Sequence, residues 1–196
     1  MTSNRYSFLR YLELIYCIVR TKIICKKARI IRFPLDIRGR KFIDLGNSLT
    51  TGYRCRLEAF SKNETVVMRF GNNVQINDNV HITAMKNVTI GNNVLMASNI
   101  YISDCSHGFY SGDSRDSHPD IPPIKREYDV KDVIIEDNVW IGEGCSILPG
   151  VKIEKGAIIG ANSVVTKTVP AYSIAVGSPA KIIKKFNFEI SRWERI

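Results

Sequence analysis

Three histidines, His81, His107 and His118, are the side chains of this 196-residue chain best suited to moving a proton at neutral pH, because an imidazole with a pKa of about 6.5 can serve there as base or acid. Their settings differ. His107 stands in the phrase NIYISDCSHG, a few residues beyond a strand-like run and at the start of a long Gly-, Ser-, Asp- and Pro-rich segment. A side chain at such a junction is held by the scaffold yet open to a groove, which is where a general base can reach a substrate. Its second ring nitrogen needs an orienting partner. Asp104, Asp113, Asp116, Asp120 and Glu127 are all near in sequence, with Glu127 and Asp104 the named candidates. His81 takes the last place of INDNVH and reads as an outward residue at the surface or a subunit interface. His118, in SHPD, reads as a solvated loop histidine.

The other nucleophile and ligand types offer less. The five cysteines, Cys17, Cys25, Cys55, Cys105 and Cys145, are odd in number and lack CxxC spacing, so they read as reduced thiols of a cytosolic protein. None sits in a setting that would activate a thiolate, which argues against a covalent intermediate on cysteine. A zinc site would need all three histidines to converge, including an outward coil residue and one far along the loop. No metal is expected.

The scaffold that would position His107 is a sixfold repeat. From Ile135 to Pro170 the chain reads IEDNVW, IGEGCS, ILPGVK, IEKGAI, IGANSV, VTKTVP, with Ile135, Ile141, Ile147, Ile153, Ile159 and Val165 one hexad apart. The fifth places, Val139, Cys145, Val151, Ala157, Ser163 and Val169, are all small or β-branched. A period of six fits no helix and describes a chain that turns a corner every six residues. Three hexads close one triangular coil, and stacked coils bury every sixth side chain in one core. Asp137-Asn138, Lys155-Gly156 and Ala161-Asn162 supply the corners. Weaker hexads begin at Leu45, Thr51 and Leu57, and plain ones at Phe70, Ile76, Ile82, Ile90, Met96 and Ile102, with a two-residue slip before Ile90.

Outside the repeats, residues 7 to 31 carry helical spacing at Phe8, Leu12, Ile15, Tyr16, Val19 and Ile23 and predict an amphipathic helix within an N-terminal segment 1–34. It would pack on the solenoid or a neighbouring subunit, or rest on an anionic membrane surface. Residues 103–132 have no sixfold spacing and predict a loop thrown out from one corner of a solenoid domain spanning 35–185. The tail 186–196 predicts a cap for the open end. A net charge of +9 favours an anionic partner. The basic residues cluster at Arg20 to Arg40 and Lys181 to Lys185 without the aromatic interleaving of a nucleic-acid binder, so none is expected. Neither a cleavable signal nor a membrane span is expected.

The hexads, with the closing segment GSPAKIIKK, resemble those of hexapeptide-repeat acyltransferases over roughly residues 70 to 185. The ISD…HG phrase and the extended loop containing IPP are similar to those of bacterial enzymes that O-acetylate O-antigen or capsule sugars. The loop is longer than in the galactoside and maltose acetyltransferases, which allows a larger or different acceptor site. The resemblance implies a left-handed parallel β-helix, an all-β solenoid, with acetyl-CoA as acyl donor and His107 as general base. It assigns the oxyanion donors to the Gly142-Glu143 corner, with Glu143 contributing only its backbone N–H because some relatives have serine there. It implies a cofactor groove lined by Trp140, with Gly160, Ala161 and Ser178 along the pantetheine, Thr166-Lys167 on the phosphate side, and Lys181 and Lys184 at the nucleotide. A homotrimer with sites between subunits, acting in the cytoplasm on a free or lipid-linked glycan, completes the expectation. The alternatives are a sugar N-acetyltransferase, a carbonic anhydrase on the same β-helix, and a non-catalytic module.

Overall fold

The computed structural model describes residues 7–196. The one α-helix among the described residues, Phe8–Ile24, begins at Ser7, whose hydroxyl accepts the Arg10 N–H at 3.4 Å. It is shorter than the expected 7–31. Residues beyond Ile24 are drawn into the first coil: Arg29 and Ile30 donate to the Leu49 carbonyl, and Thr51 donates back to Ile30. A segment whose backbone groups pair with a neighbouring strand cannot also close i to i−4 helical bonds.

The rest is a left-handed parallel β-helix, a solenoid whose chain visits three faces in turn. The first face stacks Leu35–Arg38, Cys55–Ala59, His81–Ala84, Tyr101–Ser103, Ser146–Ile147 and Val164–Val165; the second stacks Ile43–Asp44, Met68–Phe70, Val88–Ile90, Val133–Ile135 and Lys152–Ile153. The third runs from Thr50–Thr51 through Gln75–Ile76, Leu95–Met96, Trp140–Ile141 and Ile158–Ile159 to Ser173–Val176. All of these pair in parallel and in register.

Burial follows the hexad. Ile135, Ile141, Ile147, Ile153 and Ile159 are fully buried, as are Leu57, Ile76, Ile82, Met96 and Ile102 in the earlier coils. The fifth places are buried too, including Ser163, whose hydroxyl donates to the Gly160 carbonyl at 2.6 Å and accepts the Gly177 N–H at 3.0 Å. Corners turn through left-handed residues, and asparagine, which tolerates that region, recurs there: Asn73, Asn79, Asn93, Asn99, Asn138 and Asn162 all have φ between 56° and 59°. Their amides bond from coil to coil, Asn73 to Asn93 to Asn138.

The segment 103–132 is not the featureless loop expected from its composition. Cys105–His107 pairs antiparallel with Tyr128–Val130, so its base is a short hairpin. Asp104 roots it. Its side chain is fully buried, and its carboxylate accepts the backbone N–H groups of Met85, Lys86 and Asn87 at 2.7 to 3.0 Å. Those three residues are the longer corner at the two-residue slip. Beyond Val176 the chain folds back antiparallel as Lys181–Asn187 and Arg192–Arg195, closing the last coil. Phe186 packs edge-on against Phe188 and Trp193 with ring centres 4.9 and 5.3 Å apart.

Asp104→Asn presents an amide to backbone donors that all need an acceptor, and we expect it to cost about 3 kcal/mol. The melting temperature should fall by roughly 6–12 °C, and a calorimetric scan indistinguishable from wild type would refute this role.

Candidate active site

His107 emerges where the fourth strand of the first face hands over to the hairpin. Its side chain is exposed, and its ring lies against Tyr128, its cross-strand partner, with centres 4.7 Å apart. The turn beyond it is tied down: Gly108 donates to the Glu127 carbonyl at 2.8 Å, the Tyr110 hydroxyl donates to the His107 carbonyl, and Arg126 donates to the Tyr110 oxygen at 2.7 Å. Gly108 has φ of 105°, and a Cβ there would meet the Tyr110 hydroxyl at 2.5 Å, so only glycine allows this closure.

His107 opens onto a groove of about 390 Å³ shared with Glu58, Thr83, Tyr101, Cys105 and Tyr128, and with Phe60 and Met85. Exposed aromatic faces beside hydrogen-bonding groups suit a sugar-sized ligand. The sequence reading missed Glu58, Thr83 and Tyr101. Register explains them: Glu58 and Thr83 are paired neighbours on the outward side of the first face, as are His81 and Tyr101. Glu58 is 5% exposed, and its carboxylate accepts Arg38 at 2.8 Å, Arg56 at 2.7 Å and the His81 ring at 2.8 Å. His81 does face outward, as expected. His118 is exposed in the loop, with Asp120 beside it. Among the described residues no group of three His, Cys, Asp or Glu side chains could hold a metal ion.

The orienting partners named for His107 are corrected. Asp104 spends its carboxylate on the corner of residues 85–87. Glu127 reaches the turn through its carbonyl, and among the described residues neither acid bonds the His107 ring. Cys105 lies in the groove, but burial raises its thiol above the ordinary value, with Asp104 adding to the shift against a lowering hydrogen bond from Ser103. The thiolate is disfavoured, in line with no nucleophilic role.

The remaining candidates divide between two edges of the prism. Trp140, half-exposed on the third face, is followed by Gly142 and Glu143 at the corner leading to the first face, and Gly160-Ala161 occupy the same corner one coil on. Coils touch closely there. A Cβ on Gly142 would come within 2.6 Å of the Ala161 nitrogen, and one on Gly160 within 2.6 Å of the Val176 side chain. The result is a smooth column of small residues beside an indole, which fits a slender, extended arm. Gly142 donates its own N–H to Ile159 at 2.8 Å, so the oxyanion role assigned to this corner narrows to the Glu143 N–H. Ser178 follows the last third-face strand, and Lys181 and Lys184 lie on the antiparallel strand beside it. Thr166-Lys167 stand instead on the edge from first to second face, the edge from which His107 emerges. One face separates the two edges, at most about 20 Å for six extended residues. Within one chain the groove lined by His107 includes neither Trp140 nor the small residues of its column.

Residues 132–167 match the family profile described as bacterial transferase hexapeptide (six repeats). The Escherichia coli K12 protein WbbJ, assigned by name to lipopolysaccharide biosynthesis as an O-acetyl transferase, is 40% identical over 193 residues, covering 98% of this chain and 97% of its own. The chain belongs to the hexapeptide-repeat acetyltransferase family. A galactoside O-acetyltransferase of Lactococcus lactis is 43% identical over 74 residues, 36% of this chain and 35% of that protein. Among solved structures, the S84A mutant of AntD, an N-acyltransferase from Bacillus cereus bound to dTDP-4-amino-4,6-dideoxyglucose and coenzyme A, superposes with a TM-score of 0.68 at 23% identity, covering 84% of each chain. At that identity the likeness shows the fold.

In this family member Glu58 is also an electrostatic keystone. Burial alone would raise its carboxyl, but hydrogen bonds from His81 and Arg56 and the Arg56 charge outweigh it and leave the group below the ordinary carboxylate value. A depressed folded-state pKa gives stability that is complete above the unfolded value of about 4.3 and is lost as pH falls through the folded value. Glu58→Gln should cost about 2 kcal/mol at pH 7. The gap to wild type should narrow below about pH 4, and denaturant titrations at pH 7 and in that acid range showing a constant gap would exclude the charge as its cause.

Proposed function

We propose that this chain transfers an acetyl group from acetyl-CoA to a sugar hydroxyl during surface-polysaccharide synthesis, with His107 as general base. The observation that carries the reading is the groove where an exposed, scaffold-held imidazole meets aromatic and hydrogen-bonding side chains. The near-full-length similarity to WbbJ supports the choice of a sugar hydroxyl. A hydroxyl is a weak nucleophile at neutral pH, so an imidazole nitrogen of His107 takes its proton as the oxygen attacks the thioester carbonyl. Negative charge on the carbonyl oxygen is met by the Glu143 N–H. As the carbon–sulfur bond breaks, the imidazolium returns the proton to the departing thiolate of coenzyme A. Direct transfer needs no acyl-enzyme, in keeping with the raised Cys105 thiol.

Trp140, Gly160, Ala161 and Ser178 line the pantetheine in this reading, with Thr166-Lys167, Lys181 and Lys184 toward the phosphates. Because His107 and the Trp140 column lie on different edges, the reading requires a homotrimer in which one protomer supplies the base and its neighbour the donor groove. The enzyme acts in the cytoplasm on a free or lipid-linked glycan.

His107→Ala should lower kcat by about 100-fold or more with the fold intact. The product should be an alkali-labile ester; a stable amide would turn the reading toward an N-acetyltransferase. Ala161→Trp should block the donor groove. Co-assembly of His107→Ala with Ala161→Trp chains should restore activity at roughly a quarter of sites, because each site draws on two protomers. Two inactive variants that stay inactive when mixed would place the whole site in one chain.

A further inference from the structure

The helix docks through one narrow side. Cys17 and Thr21 are its buried residues, and the Thr21 hydroxyl donates to the Cys17 carbonyl at 2.6 Å and accepts the Ile31 N–H at 2.8 Å, which fastens the helix to the first coil. On the opposite side Phe8, Leu12, Ile15, Val19 and Ile23 fall within an arc of about 80° at 100° per residue. All five are exposed, by 47% to 74%. Tyr11 and Tyr16 flank the arc and are exposed as well. A helix serving only to cap the solenoid would turn this stripe inward.

Charge says what the stripe meets. Arg20, Lys22, Lys26, Lys27 and Arg29 sit on the helix or just after it, and the sequence holds no acidic residue between Glu13 and Asp36. A two-fold contact between copies would set this cationic segment against itself, with no acid of its own to neutralise it, and a cyclic contact would need an acidic patch elsewhere on the neighbour. An anionic lipid surface supplies both halves of the complement: acyl chains for the stripe and headgroups for the cations. Flanking tyrosines fit the depth of the headgroups. No helix among the described residues is long and apolar enough to cross a membrane, so this one would lie in the interface plane.

We infer that Phe8–Ile24 is an in-plane anchor that docks the protein on anionic phospholipid. The inference is independent of the role given to His107, because its readout is vesicle binding rather than turnover. The test is flotation of the full-length protein with phosphatidylcholine vesicles, with and without phosphatidylglycerol. Wild type should float with the anionic vesicles about tenfold more than with the neutral ones, and release as salt rises. Leu12→Glu/Val19→Glu, both exposed and so neutral to the fold, should abolish flotation with the melting temperature unchanged. Equal binding to both vesicle types would overturn the assignment to anionic lipid. No flotation, with the double variant reducing oligomer mass by light scattering, would overturn it in favour of a second copy covering the stripe. No flotation with unchanged mass would overturn it outright.

Discussion

Every coil of this protein is stable only against its neighbours. A coil of three short strands exposes its inward aliphatics and its backbone N–H and C=O groups along the axis, and both are satisfied by the next coil in the same register. Ile141 stacks between Met96 and Ile159 while the same strands exchange hydrogen bonds. Hydrophobic burial and backbone pairing thus demand one repeat length, which is why insertions are forced out at corners. The two ends, which lack a neighbour, need the N-terminal segment and the C-terminal hairpin.

Chemistry enters where that demand is locally suspended. The chain can leave the solenoid after Ser103 and return at Val133 only if the corners around the gap stay fixed, and the Asp104 carboxylate fixes one of them through backbone bonds. His107 then stands three residues beyond a buried anchor, on a hairpin whose other strand supplies Tyr128. A rigid solenoid with a rooted excursion holds an imidazole in place without enclosing it.

The sixfold spacing made the core, its corners and the exit point of His107 legible, because each depends on residues close in sequence. The rest was set by register between distant strands. Glu58 looks like one more outward acid until the coils align it with His81 and Arg56. Asp104 looks like a neighbour for His107 until the slip at 85–87 is seen to be a cradle for its carboxylate. The hairpin at Cys105 was hidden because three-residue strands separated by twenty residues leave no local period. The helical periodicity was visible, but spacing alone names a stripe and not the direction it faces, which Thr21 decides by bonding to the first coil.

Placed along the axis, these features separate by role. The groove draws Glu58, Thr83 and Tyr101 from the second, third and fourth strands of the first face, in the N-terminal half. The small-residue column runs from Trp140, on the fourth strand of the third face, toward the C-terminal end. The two overlap in height at the fourth strands but stand on different edges of the prism. The two cationic clusters follow the same division, one just after the helix and the other on Lys181–Asn187 at the opposite end. At about 4.8 Å per coil, three coils put His107 only ~15 Å along the axis from the first strand. Under the proposed reaction, an acceptor presented at the N-terminal end and a phosphorylated donor held at the C-terminal end would approach from opposite directions without competing for the same cations. The regular rise of the solenoid sets their spacing.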